Sequence, residues 1–63
     1  MMEKTIEKYT TLKGNEIEIY QFRILLNGKN SRFLAFTVNG QDRTGCYLIS
    51  ELQMMKNFIN SIY

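Results

Sequence analysis

Apolar and polar residues alternate through the middle of the chain and fall at helical spacing near its end. From Tyr20 the alternation puts Tyr20, Phe22, Ile24 and Leu26 on one side of an extended segment. Leu34, Phe36 and Val38 make a second such row. Both rows are rich in aromatic and branched residues, which suit a pleated, half-buried surface. They predict strands over 16–26 and 32–38. Upstream, Glu16-Ile17-Glu18-Ile19 alternates in the opposite phase. A bulge near Tyr20, or a strand twisting between two environments, accounts for the flip. The segment 4–12 has two readings. Thr5, Tyr9, Thr10 and Thr11 favour a strand, with Lys13-Gly14-Asn15 as the turn into the next one, whereas Met2, Ile6 and Tyr9 would also suit a short helix.

The last segment is an amphipathic helix over 51–62. Ser50-Glu51-Leu52-Gln53 matches the Ser-x-x-Gln capping box, and Ile49 with Met54 supplies a hydrophobic staple. Leu52, Met55, Phe58, Ile59 and Ile62 then share one face, opposite Lys56, Asn57, Asn60 and Ser61. So short a helix is marginal alone in water, so it must pack against a sheet. A short strand over 46–49 feeds it, after a turn-rich loop at Asn39–Gly45. The fold class is α+β: one domain spanning 1–63, with a small antiparallel sheet of three to four strands and the C-terminal helix on one face.

Which face the helix covers depends on the connection at Asn27-Gly28-Lys29-Asn30-Ser31. A two-residue Asn-Gly turn is the strongest local hairpin signal. It would pair Leu26 with Lys29, and so leave Leu34, Phe36 and Val38 on the face opposite Tyr20, Phe22 and Ile24. A loop of three or five residues shifts the register by an odd step and unites both rows. On that expectation Tyr20, Phe22, Ile24, Leu34, Phe36 and Val38 lie under the helix. The other face then shows Ile17, Ile19, Gln21, Arg23, Leu25, Phe33, Ala35 and Thr37. A water-facing antiparallel surface should be polar. This one groups Leu25, Phe33 and Arg23, a mix common in binding hot spots. Its cover is either the N-terminal segment, through Ile6, Tyr9 and Leu12, or a partner, whether foreign or a second copy.

Composition narrows the chemistry. The 63 residues include no His, Pro or Trp and a single cysteine, Cys46. No internal disulfide can form, a structural zinc site lacks ligands, and the usual neutral-pH general base is missing. Cys46 has no His to stabilise a thiolate and reads as a small core residue. Glu16 and Glu18 share a strand face, where paired carboxylates more often act as solubilising gatekeepers than as an acid–base pair. The glycines stand singly in turns, so no phosphate-cradling loop is present. Neither an enzyme nor a cofactor, metal or small-molecule substrate is expected. The first eight residues have no apolar h-region and the longest apolar runs are four residues. No secretory signal or membrane span is expected, and a reducing cytoplasm suits the free thiol.

The net charge is only +2, but it is unevenly placed. Residues 19–49 carry Arg23, Lys29, Arg32 and Arg43 against Asp42 alone, a net +3. Arginine offers a planar fork to carboxylates and phosphates.

The run from Leu34 through Val38-Asn39-Gly40 to Tyr47-Leu48-Ile49-Ser50-Glu51 and Phe58-Ile59 resembles the strand–turn–strand–helix part of small phage-encoded anti-CRISPR inhibitors. That likeness implies a phage or mobile-element accessory protein acting in the host cytoplasm. The order of elements is also similar to that of sheet-plus-helix DNA-binding domains of plant transcription factors and of integrase arm-binding domains. Those read DNA with the far side of the sheet, where Arg23 and Phe33 would lie. The leading expectation is a non-enzymatic protein-binding module or inhibitor, docking through the sheet's second face or an edge. Arg23, Leu25 and Phe33 would be its anchors, with Arg32, Lys29 and Arg43 around them. The alternative is nucleic-acid binding, with the four cations on phosphates and Phe33 stacking on bases. A homodimer with sheets face to face is a third arrangement.

Overall fold

A computed structural model describes residues 3–43 and 45–63. Five antiparallel strands precede one helix: β1 (Glu3–Thr10), β2 (Glu16–Leu26), β3 (Lys29–Val38), β4 (Gln41–Asp42), β5 (Tyr47–Leu48) and α1 (Leu52–Ile62). A single 3-10 turn, Ile49–Glu51, leads into the helix. The sheet order is β1-β2-β3-β4, with β5 also on β3, on the edge that β2 leaves open. The first segment is thus a strand, and it pairs at the side of the sheet rather than folding over a face. The expected α+β class, antiparallel sheet and C-terminal helix are all present.

The hairpin register differs from the expectation. β2 and β3 pair without interruption from Ile17↔Val38 to Leu26↔Lys29. The connection is the two-residue turn, with Asn27 and Gly28 at φ of 51° and 76°. Positive φ at both central positions defines the turn whose twist matches the strands, and Asn-Gly is the pair best able to adopt it. Local turn chemistry prevailed over the attempt to gather every apolar row on one side. The same device recurs where Asn39 and Gly40, also at positive φ, join β3 to β4.

This register reverses the assignment of β2. Ile17 and Ile19, expected on the open face, pair with Val38 and Phe36 under the helix. With Leu34, Met55 and Ile59 they form the core, bordered by Tyr9, Tyr47, Leu52 and Tyr63. Tyr20, Phe22 and Ile24, expected under the helix, lie on the other face with Ala35, Phe33 and Ser31. No bulge occurs at Tyr20; the register shift is in β1, between Thr5 and Glu7. The change of phase at Ile19–Tyr20 instead marks the apolar stripe crossing from one face to the other. Helix length explains the crossing. Eleven residues of helix span about 16 Å, whereas the eleven residues of β2 span about 36 Å. The helix can cover at most half of the hairpin.

Helix entry also departs from the expected capping box. The Leu48 N–H donates to the Glu51 carboxylate at 2.7 Å, and Gln53 donates to Asn57 instead of reaching back. Ile49 and Met54, the expected staple pair, are both largely exposed. Cys46 is exposed rather than part of the core. The exit from the helix is tied down firmly. The Tyr63 main-chain oxygen accepts from Thr11 Oγ1 at 2.7 Å and Asn15 Nδ2 at 2.8 Å. Lys13 Nζ donates to the Ile62 carbonyl at 3.2 Å. The β1–β2 turn thereby satisfies carbonyls that every helix C-terminus leaves without an internal partner.

Candidate functional site

The molecule measures 41 × 20 × 17 Å. Part of its length comes from the β2–β3 hairpin running past its neighbours. Among the described residues, β1 pairs with β2 no further than Phe22, and β5 meets β3 no further than Phe33. Among the described residues, 23–32 therefore form a two-stranded arm that projects by about 13 Å. Beyond Phe22 and Phe33, neither of its edges has a strand beside it among the described residues. Ile24, Leu25 and Leu26 on this arm are 37%, 67% and 47% exposed.

The arm is sided. Arg23 stands directly opposite Arg32, with Leu25 opposite Asn30 one pleat nearer the tip on the same face. Ile24, Ser31, Leu26 and Lys29 occupy the reverse face, continuing the row of Tyr20, Phe22 and Phe33. The aromatic rings of that row lean on one another, with Tyr20–Phe22 centroids 6.1 Å apart and Phe22–Phe33 5.9 Å apart. No carboxylate occurs between Ile19 and Gln41, and among the described residues neither arginine of the arm is in a salt bridge. Like charges directly opposite each other weaken strand pairing. The arm thus combines mutually repelling cations with exposed apolar side chains.

Of the residues singled out from the sequence, the fold brings Arg23, Leu25, Lys29 and Arg32 together on the arm. Phe33 is separated from Arg23 and Leu25: it lies half-buried at the arm's base, on the reverse face. Arg43 is at the other end of β3, where its N–H donates to the Phe36 carbonyl and its guanidinium lies 5.5 Å from the centre of the Tyr63 ring. Sequence reasoning missed Ile24 and Leu26 as exposed arm residues, because it placed that row under the helix. The Asn27-Gly28 pair and the acid-free stretch around it were the available signals.

The open face of the sheet away from the arm is more polar toward β1 and β4. Thr5 donates to the Glu18 carboxylate, and Tyr20 donates to Asp42 at 3.1 Å. Glu16 and Glu18 share a wall with Lys8, Thr10 and Thr37 in an open concavity of about 460 Å³. A smaller hollow of about 260 Å³ beside the aromatic row is lined by Tyr20, Phe22, Ala35 and Asp42 together with Gly45 and Cys46. Among the described residues, no three Asp, Glu or Cys side chains are grouped to hold a metal ion. No helix among them is long and apolar enough to cross a membrane.

Among the described residues three groups titrate away from their ordinary values: Tyr9 on β1, Tyr20 on the open face of β2 and Lys56 on α1. Burial raises the Tyr9 phenol, partly offset by nearby Lys56. Burial and the hydrogen bond to Asp42 raise Tyr20. The Glu7 carboxylate, 2.8 Å away, raises the Lys56 ammonium. The chain matches no protein-family model, no curated protein and no solved structure, so its chemistry has to be read from its own residues.

Proposed function

We propose that this chain is a small non-enzymatic protein-binding module or inhibitor, of the kind carried by phages and mobile elements, working in the cytoplasm. It inserts the β2–β3 arm into an acidic, partly apolar surface of a partner protein. The observation behind this reading is the arm itself, where three consecutive large apolar residues are exposed beside three cations with no carboxylate among them. Each large apolar side chain left in water forgoes about 1.5–3 kcal/mol of burial. A domain of this size has little stability in reserve, so exposed apolar anchors at the end of an arm are best accounted for by a surface that receives them. Leu25 and Ile24 would fill apolar recesses. Arg23 and Arg32 would place two forks on carboxylates, relieving their mutual repulsion.

A second reading is supported by the arm's shape. A two-stranded ribbon fits the DNA major groove, and three cations along it would meet phosphates. Salt separates the readings, because each phosphate contact adds to a steep fall of affinity with ionic strength.

The test is a tagged capture at low and high salt, with protein and nucleic acid both identified in the eluate. Wild type is run beside Arg23→Ala and Leu25→Ser. A protein retained at high salt by wild type and lost by both variants, each still folded, is the expected outcome. Nucleic acid released by salt would favour the ribbon–groove reading. A partner held equally well by both variants would remove the arm from the site.

A further inference from the structure

The helix carries an apolar row that its seat on the sheet does not use. Met55 and Ile59 are fully buried, but Met54, Phe58 and Ile62 are 61%, 43% and 48% exposed. Spaced at i, i+4 and i+8, these three form one ridge along the helix. The opposite flank faces β1, where Lys56 pairs with Glu7 and Asn60 accepts from Tyr9. Sequence periodicity had placed Phe58 and Ile62 in the core. The sheet is too narrow on the β4–β5 side, where each strand has only two residues, to cover that flank.

We infer that this ridge is a self-association surface, in which the helices of two copies pack antiparallel about a two-fold axis at Phe58. Two features select a second copy as the occupant. First, the ridge is symmetric about Phe58, with a long apolar side chain one turn to either side. Under a two-fold axis Met54 of one copy therefore meets Ile62 of the other, as an isologous contact requires. Second, the surface is neutral. Lys56 is the one charged residue within α1, and it points to the other flank; Gln53, Asn57 and Ser61 are uncharged. Just before the helix, Glu51 turns its carboxylate back to the Leu48 N–H. Two copies meet there without like-charge repulsion, whereas two cationic arms would repel. Rows spaced four residues apart interlock at a crossing of about −50° from parallel or antiparallel.

About half of each of three large side chains amounts to roughly 300 Å² per copy. Standard interfaces bury about 800 Å² per partner, so the dimer is weak and its population depends on concentration. This surface is independent of the arm, and either can fail without the other.

Sedimentation velocity from about 10 μM to 1 mM is expected to show a monomer–dimer equilibrium that barely responds to salt. Phe58→Asp should raise the dissociation constant at least tenfold. If Phe58→Asp lowers the melting temperature, the more exposed Met54→Asp takes its place. In a Cys46→Ser background, Phe58→Cys should form a disulfide-linked dimer faster than Asn57→Cys, which lies off the ridge. A monomer at 1 mM, a dimer unaffected by both acidic variants, or equal cross-linking at positions 57 and 58 would each overturn the inference.

Discussion

The two halves of the β2–β3 hairpin both carry large apolar residues, and these meet opposite surroundings. In the inner half, Ile17, Ile19, Leu34, Phe36 and Val38 are sealed beneath α1, and β1 and β4 flank the strands. In the outer half, Ile24, Leu25 and Leu26 are exposed, and Arg23 faces Arg32 across the ribbon. The same strand serves as core in one half and as surface in the other. A helix rises less than half as far per residue as a strand, so a helix and strand of equal length must leave half the hairpin bare. A feature useful only to hold the fold would end where the helix ends. This hairpin continues for four residues on each side beyond even the last flanking-strand pairs, at Phe22 and Phe33, and carries charges that oppose its own pairing.

The largest effect should come from the inner half. Phe36→Ala removes a buried ring packed edge-on to Tyr63 and is expected to cost about 3–5 kcal/mol. That is comparable to the whole stability of a small domain, so the variant should be unfolded or nearly so by circular dichroism and urea titration. Leu25→Ala, the matching deletion on the arm, should change the unfolding free energy in the same urea titration by no more than about 0.5 kcal/mol. Equal losses at the two positions would abolish the distinction between core and arm.

A smaller effect is expected at the helix exit. Thr11→Val keeps the shape of a buried side chain but removes the hydroxyl that donates to Tyr63. Asn15 Nδ2 still donates to that oxygen, so the loss should be that of a single hydrogen bond, about 0.5–1.5 kcal/mol. Asn15→Ala removes the other donor. Because both bonds end on one oxygen, each single variant leaves it a donor and the double leaves it neither, so the double variant should lose more than the sum of the singles. Strict additivity in a denaturation cycle would show that the two donors act separately and that the turn does not clamp the helix end as a unit.

The elements were legible in the sequence, and the register was not. Helical spacing over 51–62 and alternation over 16–26 each exceed what a loop could imitate, and they correspond to α1 and β2. The phase change at Ile19–Tyr20 was visible too, but its meaning depended on how far the helix reaches, which is a tertiary fact. With apolar residues on both faces of β2, alternation could not say which face is buried, and the constraint that usually pins register was missing. The decisive information was local, in the positive-φ capacity of Asn27 and Gly28. For the same reason Arg23, Leu25, Lys29 and Arg32 could be recognised as neighbours, while Phe33 lies on the open face as expected and Arg23 and Leu25, expected beside it, lie on the helix-side face. The exposed ridge on α1 was hidden because a helical wheel shows how wide an apolar arc is, not how wide its seat will be.

The subtlest difference between the halves should appear on the alkaline side. Tyr9 on β1, Tyr20 in the inner half of β2 and Lys56 on α1 all lie away from the arm, and each has its pKa raised in the folded protein. A group that holds its proton more tightly when folded contributes stability that is complete below its unfolded pKa. The contribution is lost as pH rises through the folded value. Ordinary tyrosine and lysine titrate near about 10, so the melting temperature should be flat from about pH 7 to 9 and fall above about pH 10. Burial dominates both tyrosine shifts, so replacing Tyr9 and Tyr20 with Phe keeps the apolar contact and removes the ionisation. The double variant should therefore lose less melting temperature than wild type between pH 9 and 11, after correction for any difference at pH 7. Leu25→Ala should follow the wild-type curve, since the arm contributes none of these groups. A double variant that declines as steeply as wild type would move the alkaline sensitivity away from these two tyrosines.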